Sequence, residues 1–279
     1  MAPPPPGNQP LQQRLMQLAQ TLQFAWFCGH VTLFLCTIRY AMSYLTFRYN
    51  SKWAVFSYRT AFMAAAVTYG IVVYKAYRAR MRSGKQGSPL AMLADENVQY
   101  LLMALVWLWS RQIPLAILPF TVYSVFHIAT YTRANLLPAL QPQQQSQDGQ
   151  PPKQSGMAQT IGKFVKDYYD SSMTLVALLE IGLWFRVLMS ALLFQKGSWI
   201  LLAIYSAFLR ARYSQSSFVQ GAIAQMTQRV DGMVANQNTP PAVRNAWGSI
   251  KGLARQAAEA TDINKYVGGN QQAGPKKAQ

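Results

Sequence analysis

Acidic side chains, histidines and cysteines are scarce in this chain. Nine Asp+Glu stand against 26 Lys+Arg, a formal charge of +17, and only two histidines and two cysteines occur in 279 residues. Clustered acid–base chemistry and metal ligation have little to build on, and no cofactor motif is present. The patterns HExxH, GxSxG, paired CxxC and the Walker loop are missing. Cys28 and His30 point about 200° apart on one helix, so a metal site completed by His127 is not expected. Cys28 and Cys36 lie about 80° apart around a helix and ~12 Å along it, too far for a disulfide. Both are expected to be small buried thiols. The start, MAPPPPGNQP, has no charged region leading into an apolar core. A cleaved signal peptide is not expected, and the first apolar span is expected to act as an uncleaved anchor.

Charged residues are 13% of the chain and hydrophobic residues 51%. A soluble domain carries about 25% charged residues, and here the apolar residues come in blocks, so a bilayer is the natural solvent. Six apolar arms can be read, at 24–38, 53–74, 98–109, 113–131, 172–194 and 199–209. The expected fold is all-α: a polytopic helical membrane domain over 11–213 with four to six arms, some of them short hairpins. A full crossing takes about 20 residues. The arm 98–109 is too short to cross upright, so 98–131 reads as a hairpin with one short arm or a re-entrant wedge. Pro114 and Pro119 suit the start and a kink of its second arm.

Around the arms the composition changes. Residues 1–10 are proline-rich, 141–156 are rich in Gln and Pro, and 260–279 form a glycine-containing tail; all three are expected to be disordered. Leu11, Leu15, Leu18 and Leu22 mark an amphipathic lead-in. Over 214–259 two amphipathic cytoplasmic helices are expected. The first carries Val219, Ala222, Ile223, Met226, Val230 and Met233 at helical spacing. The second carries Val243, Trp247, Ile250 and Leu253, with Arg244, Lys251 and Arg255 on its polar face.

Placing both termini in the cytoplasm puts nineteen basic residues outside the arms on that side and five on the other, as the positive-inside rule requires. The cluster Lys75, Arg78, Arg80, Arg82 and Lys85 contains no acid. Anionic lipid headgroups are the expected partner of these groups. No nucleic-acid motif accompanies them, so nucleic acid is not expected. Trp247, Ile250 and Leu253 are the candidate inserting residues. Arg244, Lys251, Arg255, Lys75, Arg78, Arg80 and Arg82 are the candidate headgroup ligands. The basic tail is also a candidate site for a soluble transport receptor, on charge alone.

Three charges fall inside arms: Arg59, Glu180 and Arg186. A charge within a membrane is costly and marks a functional hypothesis. Glu180 and Arg186 are about 120° apart on one helix and cannot pair directly. Glu180 is expected to pair with Arg59 across two helices, as structural glue or as part of a polar pathway in a small transporter or channel. The stretch HIATYTR, 127–133, reads either as the mouth of an active site, with His127 as general base beside Thr130 or Tyr131, or as a helix exit. It lacks a nucleophile, a nearby acid and a glycine-rich turn. In the helix-exit reading His127 and Tyr131 share a face, Thr130 bonds back to the preceding turn, Arg133 reaches the headgroups and Pro138 stops the helix. No catalytic residue is assigned.

The order of FAWFCGH in the first arm, HIATYTR at the end of the fourth, and YSAFLRARY followed by SQSS after the last resembles the transmembrane protein 33 family, the Krüppel homologue 2 type that includes fungal pore-membrane proteins of about this size. The resemblance covers roughly 15–235. The Q/P-rich insert, the proline-rich start and the long tail depart from it. It implies a non-enzymatic, multi-spanning protein of the endoplasmic reticulum and nuclear envelope. It further implies links to tubular membrane shape, to reticulon-type proteins and to the distribution or assembly of nuclear pore complexes. It carries over no catalytic residues.

Overall fold

A computed structural model describes residues 10–83, 92–140, 156–236 and 238–261. The segments expected to be disordered lie outside these residues, except for Pro10, Gly156, Ala260 and Thr261; so do Lys85 and Lys153. The described residues hold nine helices and no strand, the all-α class that the apolar blocks indicate. They are α1 (Leu11–Ala19), α2 (Leu22–Leu45), α3 (Lys52–Arg82), α4 (Glu96–Trp109), α5 (Pro114–Leu140), α6 (Gly156–Leu192), α7 (Ser198–Gln215), α8 (Ser217–Val234) and α9 (Pro241–Ala260). Four of them, α2, α3, α5 and α6, are long and apolar enough to cross a membrane.

Local chemistry sets the boundaries. The Thr21 hydroxyl accepts from the Phe24 N–H at 3.1 Å and the Ser51 hydroxyl from the Ala54 N–H at 3.2 Å, capping α2 and α3. Pro114 opens α5, where its missing N–H costs nothing. Gly197, at φ +74°, turns the chain from α6 into α7. Pro138 does not stop α5. A π-turn over Thr132–Leu136 precedes it, and the helix continues to Leu140. Widening the turn just before the proline relieves the clash of its ring with the carbonyl four residues back.

The chain divides into two compact units. The first takes the described residues of Met1–Gln86 and Asn97–Leu183. Within it successive arms run antiparallel. Tyr40 of α2 meets Tyr58 of α3, and Tyr100 of α4 stacks on Tyr69 of α3. On the same buried stripe of α2, His30 meets Ser124 and Thr37 meets Thr121, so α5 also runs opposite to α2. Phe126 stacks on Phe164 while Leu115 approaches Gly182, which sets α6 antiparallel to α5. Helix α1 packs beside the last turn of α5.

The tightest seam joins α2 to α3. Buried Ala54, Ala61, Ala65 and Thr68 make a small-residue stripe along α3, and a Cβ on Gly29 would lie 2.4 Å from Thr68 Cγ2. Between helices in lipid there is no hydrophobic drive, so close backbone approach through small residues provides the packing attraction. The same argument corrects the cysteines. The buried stripe of α2 is His30, Leu33, Thr37 and Tyr40. Cys28 is exposed and Cys36 half-buried, because the outward face of a membrane helix meets lipid, where a thiol carries no penalty.

The second unit takes the described residues of Gly87–Glu96 and Trp184–Gln279. Here α7 doubles back along the end of α6, with the Trp184 indole N–H donating to the Ser206 hydroxyl at 2.8 Å. Helix α8 buries Val219 and Ala222 and contacts α7.

Gly29→Leu is expected to force α2 and α3 apart and to lower stability by about 1–3 kcal/mol, the usual range for overpacking. Thermal unfolding in detergent checks this, with Gly70→Ala, which meets open space, as the neutral control.

Candidate functional site

Arg59 does not pair with Glu180. Its guanidinium donates to the carbonyls of Trp107, at 3.1 Å, and Leu108, in the last turn of α4. The neighbouring Tyr58 hydroxyl is bonded to both the N–H of Ile113, at 3.1 Å, and its carbonyl, at 3.3 Å. The physical reason lies in the length of α4. Its 14 residues span about 21 Å, short of the ~30 Å hydrocarbon core. Tyr58 and Arg59 stand two turns inside the start of α3, so the α4–α5 connection sits about 9 Å below that end. Irregular backbone at such depth is tolerated only where protein satisfies it. Arg59 and Tyr58 do so, and the cation also faces the negative end of the helix dipole.

Glu180, 1% exposed, accepts from the Tyr100 hydroxyl. The Tyr123 hydroxyl stands 3.2 Å from that of Tyr100, and Tyr123 stacks on His127. His127 lies 4.6 Å from His30, ring to ring, and Trp26 packs edge-on against both. The Ser124 hydroxyl lies 2.9 Å from both the Phe120 carbonyl and His30 Nδ1. The two histidines thus meet inside the first unit, far apart though they are in sequence. No group of three or more metal-ligating side chains occurs among the described residues. Tyr131 stacks on Phe27, and Arg133 lays its guanidinium over Gly162, where a Cβ would come within 2.8 Å of Cζ. The HIATYTR stretch is therefore a packing contact within α5, next to its π-turn, and the helix runs on to Leu140.

Arg186 belongs to the second unit. It is exposed and donates to Ser190 one turn on. Lys75, Arg78 and Arg82 are exposed on the last two turns of α3. That helix has 31 residues and at about 46 Å outlasts the ~30 Å core by about three turns, enough to carry these cations clear of hydrocarbon.

In the second unit the terminal helices are placed by polar contacts. Asp231 of α8 accepts from the Trp247 indole N–H at 2.6 Å and from Lys251 Nζ at 2.6 Å, both on α9. The Lys251 and Trp247 hydrogen bonds hold the Asp231 carboxyl below the usual carboxylate range. The clasp is thus present at neutral pH and is lost only as pH falls through that lowered value. Arg210 of α7 donates to the Ala258 carbonyl at 2.7 Å and to the Thr261 hydroxyl at 2.9 Å, closing the far end of α9. Arg212 pairs with Glu96. No residue of α9 is buried: Val243 is 47%, Ile250 55% and Leu253 66% exposed. Arg244 and Arg255 stand exposed on the opposite edge of the same helix.

Sequence reasoning passed over Tyr58, Tyr100, Arg210 and Asp231. One signal was available: Asp231 is the only acidic residue between Glu180 and Glu259. Tyr58 and Arg210 carry no such signal, because their roles depend on which backbone ends beside them.

Arg59→Met is expected to strand the Trp107 and Leu108 carbonyls and to cost about 1–3 kcal/mol, the penalty for a buried acceptor left unmade. Glu180→Gln keeps an acceptor for Tyr100 and is expected to cost less. Melting temperatures of the two variants in one detergent test the order.

The family described as Transmembrane protein 33/Nucleoporin POM33 matches residues 3–260. Nucleoporin POM33 of Chaetomium thermophilum is 53% identical over 288 aligned positions, covering 100% of both chains. Tetra-spanning protein 1 of Schizosaccharomyces pombe is 33% identical over 245 positions, 87% of this chain and 86% of its own. Pore membrane protein of 33 kDa of Saccharomyces cerevisiae is 31% identical over 258 positions, 88% and 87% respectively. No solved structure matches. The chain, a helical membrane protein by its fold, belongs to the transmembrane protein 33/nucleoporin POM33 family.

Proposed function

We propose that this protein is a non-enzymatic scaffold of the endoplasmic reticulum and nuclear envelope that shapes the bilayer around nuclear pores, with both termini cytoplasmic. The observation that carries the reading is α9, a helix with an apolar face left open beside a basic edge. Such helices sink about 5–10 Å into one leaflet and respond to curvature. Each basic residue near an anionic surface adds about 1 kcal/mol, so Arg244, Lys251 and Arg255 match the apolar contribution of Val243, Ile250 and Leu253 in scale. Two relatives carry the words nucleoporin and pore membrane protein in their names, and a third is named as tetra-spanning, in keeping with the four long helices. The short α4 adds volume over part of the bilayer thickness only, the same asymmetry that α9 creates from outside.

Anionic lipid, reticulon-type proteins and nuclear pore proteins are the partners this reading names, with a soluble transport receptor as a further candidate at the basic tail. The transport alternative needs Arg59 and Glu180 to face one path. Arg59 is committed to a helix end and Glu180 to Tyr100, which weakens it.

Ile250→Asp/Leu253→Asp in the full chain is expected to leave the protein in the endoplasmic reticulum but to reduce its concentration at the nuclear rim several-fold. Quantitative imaging of the tagged protein measures this ratio. A rim signal equal to wild type would remove α9 from the function.

A further inference from the structure

Polar contacts fix α9 at both ends and at its middle. Trp247 and Lys251 meet Asp231 at 2.6 Å each, and Lys251 and Asp231 are 44% and 43% exposed. Arg244 donates to the Asn236 carbonyl at 3.0 Å, and Arg210 closes the other end on Ala258 and Thr261. Nothing apolar on α9 is buried by the arrangement. Exposed ion pairs of this kind are weak and screened by salt. The groups Asp231 occupies are also the ones α9 would use on a bilayer. An indole belongs at the membrane–water boundary with its N–H on a headgroup oxygen, and an ammonium at that edge belongs on a phosphate.

We propose that Asp231 is a latch. It keeps Trp247 and Lys251 of α9 occupied on a neutral surface, and the headgroups of an anionic bilayer displace it. The inference rests on the reading of α9 as a lipid-binding helix and adds its regulation. A headgroup phosphate offers the same acceptor chemistry as the carboxylate, so exchange leaves neither the indole N–H nor the ammonium unsatisfied. Asp231 is itself anionic and is repelled by the surface that replaces it. No other carboxylate between Glu180 and Glu259 can take over the role. Release frees the polar edge of α9 to face headgroups while Val243, Ile250 and Leu253 enter the leaflet. The consequence is a threshold: α9 inserts steeply with anionic lipid content, not in proportion to it.

The test uses the full chain with Cys28→Ala, Cys36→Ala and Leu253→Cys, labelled at 253 with an environment-sensitive fluorophore and reconstituted in phosphatidylcholine bilayers with increasing phosphatidylserine. The unmodified latch is expected to give a water-like signal in phosphatidylcholine and an apolar one above a threshold. Free inorganic phosphate is expected to give no apolar shift. Asp231→Asn, and separately Trp247→Phe, which keeps the ring but removes the N–H, should reach the midpoint at about five-fold less phosphatidylserine, the weight of one basic residue at such a surface. Glu259→Gln makes the same charge change outside the latch and should shift the midpoint less. Superposed Asp231→Asn and Glu259→Gln curves, with Trp247→Phe at the wild-type midpoint, overturn the latch and leave lipid binding standing. A water-like signal from all variants in every bilayer overturns lipid binding by α9, and the latch with it.

Discussion

A membrane helix that ends before the membrane does must find partners for its last carbonyls. Helix α4 ends in this way, and Arg59 and Tyr58 of the neighbouring α3 provide the partners. Much of the first unit depends on that solution. Arg59 can reach the end of α4 only if α3 and α4 lie side by side in one register, which the Tyr69–Tyr100 stack fixes three turns away. Tyr58 in turn holds Ile113, the residue from which α5 departs. The placement of α5 then brings Ser124 to His30 and Tyr123 to Tyr100. A charge that looks costly in the sequence is thus the local condition for a short arm, and the short arm lets two antiparallel helices turn inside the bilayer.

The shortage of acid shapes the remaining contacts. With 26 cations and nine carboxylates, most basic groups cannot find an acid in the chain. Arg59 and Arg210 take helix-end carbonyls instead, and each cation thereby meets the negative end of a helix dipole. Two of the carboxylates are placed at joints. Glu96 meets Arg212, and Asp231 joins α8 to α9. The exposed cations Lys75, Arg78, Arg82 and Arg255 lie outside the arms, where an anionic surface is the cheapest counter-charge.

The all-α class was legible because lipid demands long apolar blocks, and the block lengths separate α4 from full crossings without a structure. The bounds of α5 were not. Pro138 reads as a stop by itself, and only the π-turn before it makes room for the ring. The Arg59–Glu180 pair was a reasonable expectation from charge, since opposite charges in hydrocarbon attract. It fails because the orphaned carbonyls of α4 compete for the cation and Tyr100 competes for the anion. Sequence records the charges but not the helix end between them. The tail helix was legible from its amphipathic period, whereas the grip of Asp231 on Trp247 and Lys251 was not. That grip depends on how the Thr239–Pro241 break folds α9 back on α8, and the break alone does not specify an angle.

The membrane domain and the tail both depend on groups at helix boundaries. In the interior, boundary groups are satisfied by protein because lipid tails offer no hydrogen bonds, so the Arg59 contacts are obligatory and α4 has one arrangement. On α9 the boundary groups are exposed, and in the proposed lipid-binding role headgroups replace their protein partners. The same type of contact, a cation on a carboxylate or carbonyl, is therefore rigid within the membrane domain and exchangeable at the tail. Under the proposed lipid-binding role the protein stays anchored while its tail exchanges partners, and the solvent around each contact is enough to separate the two behaviours.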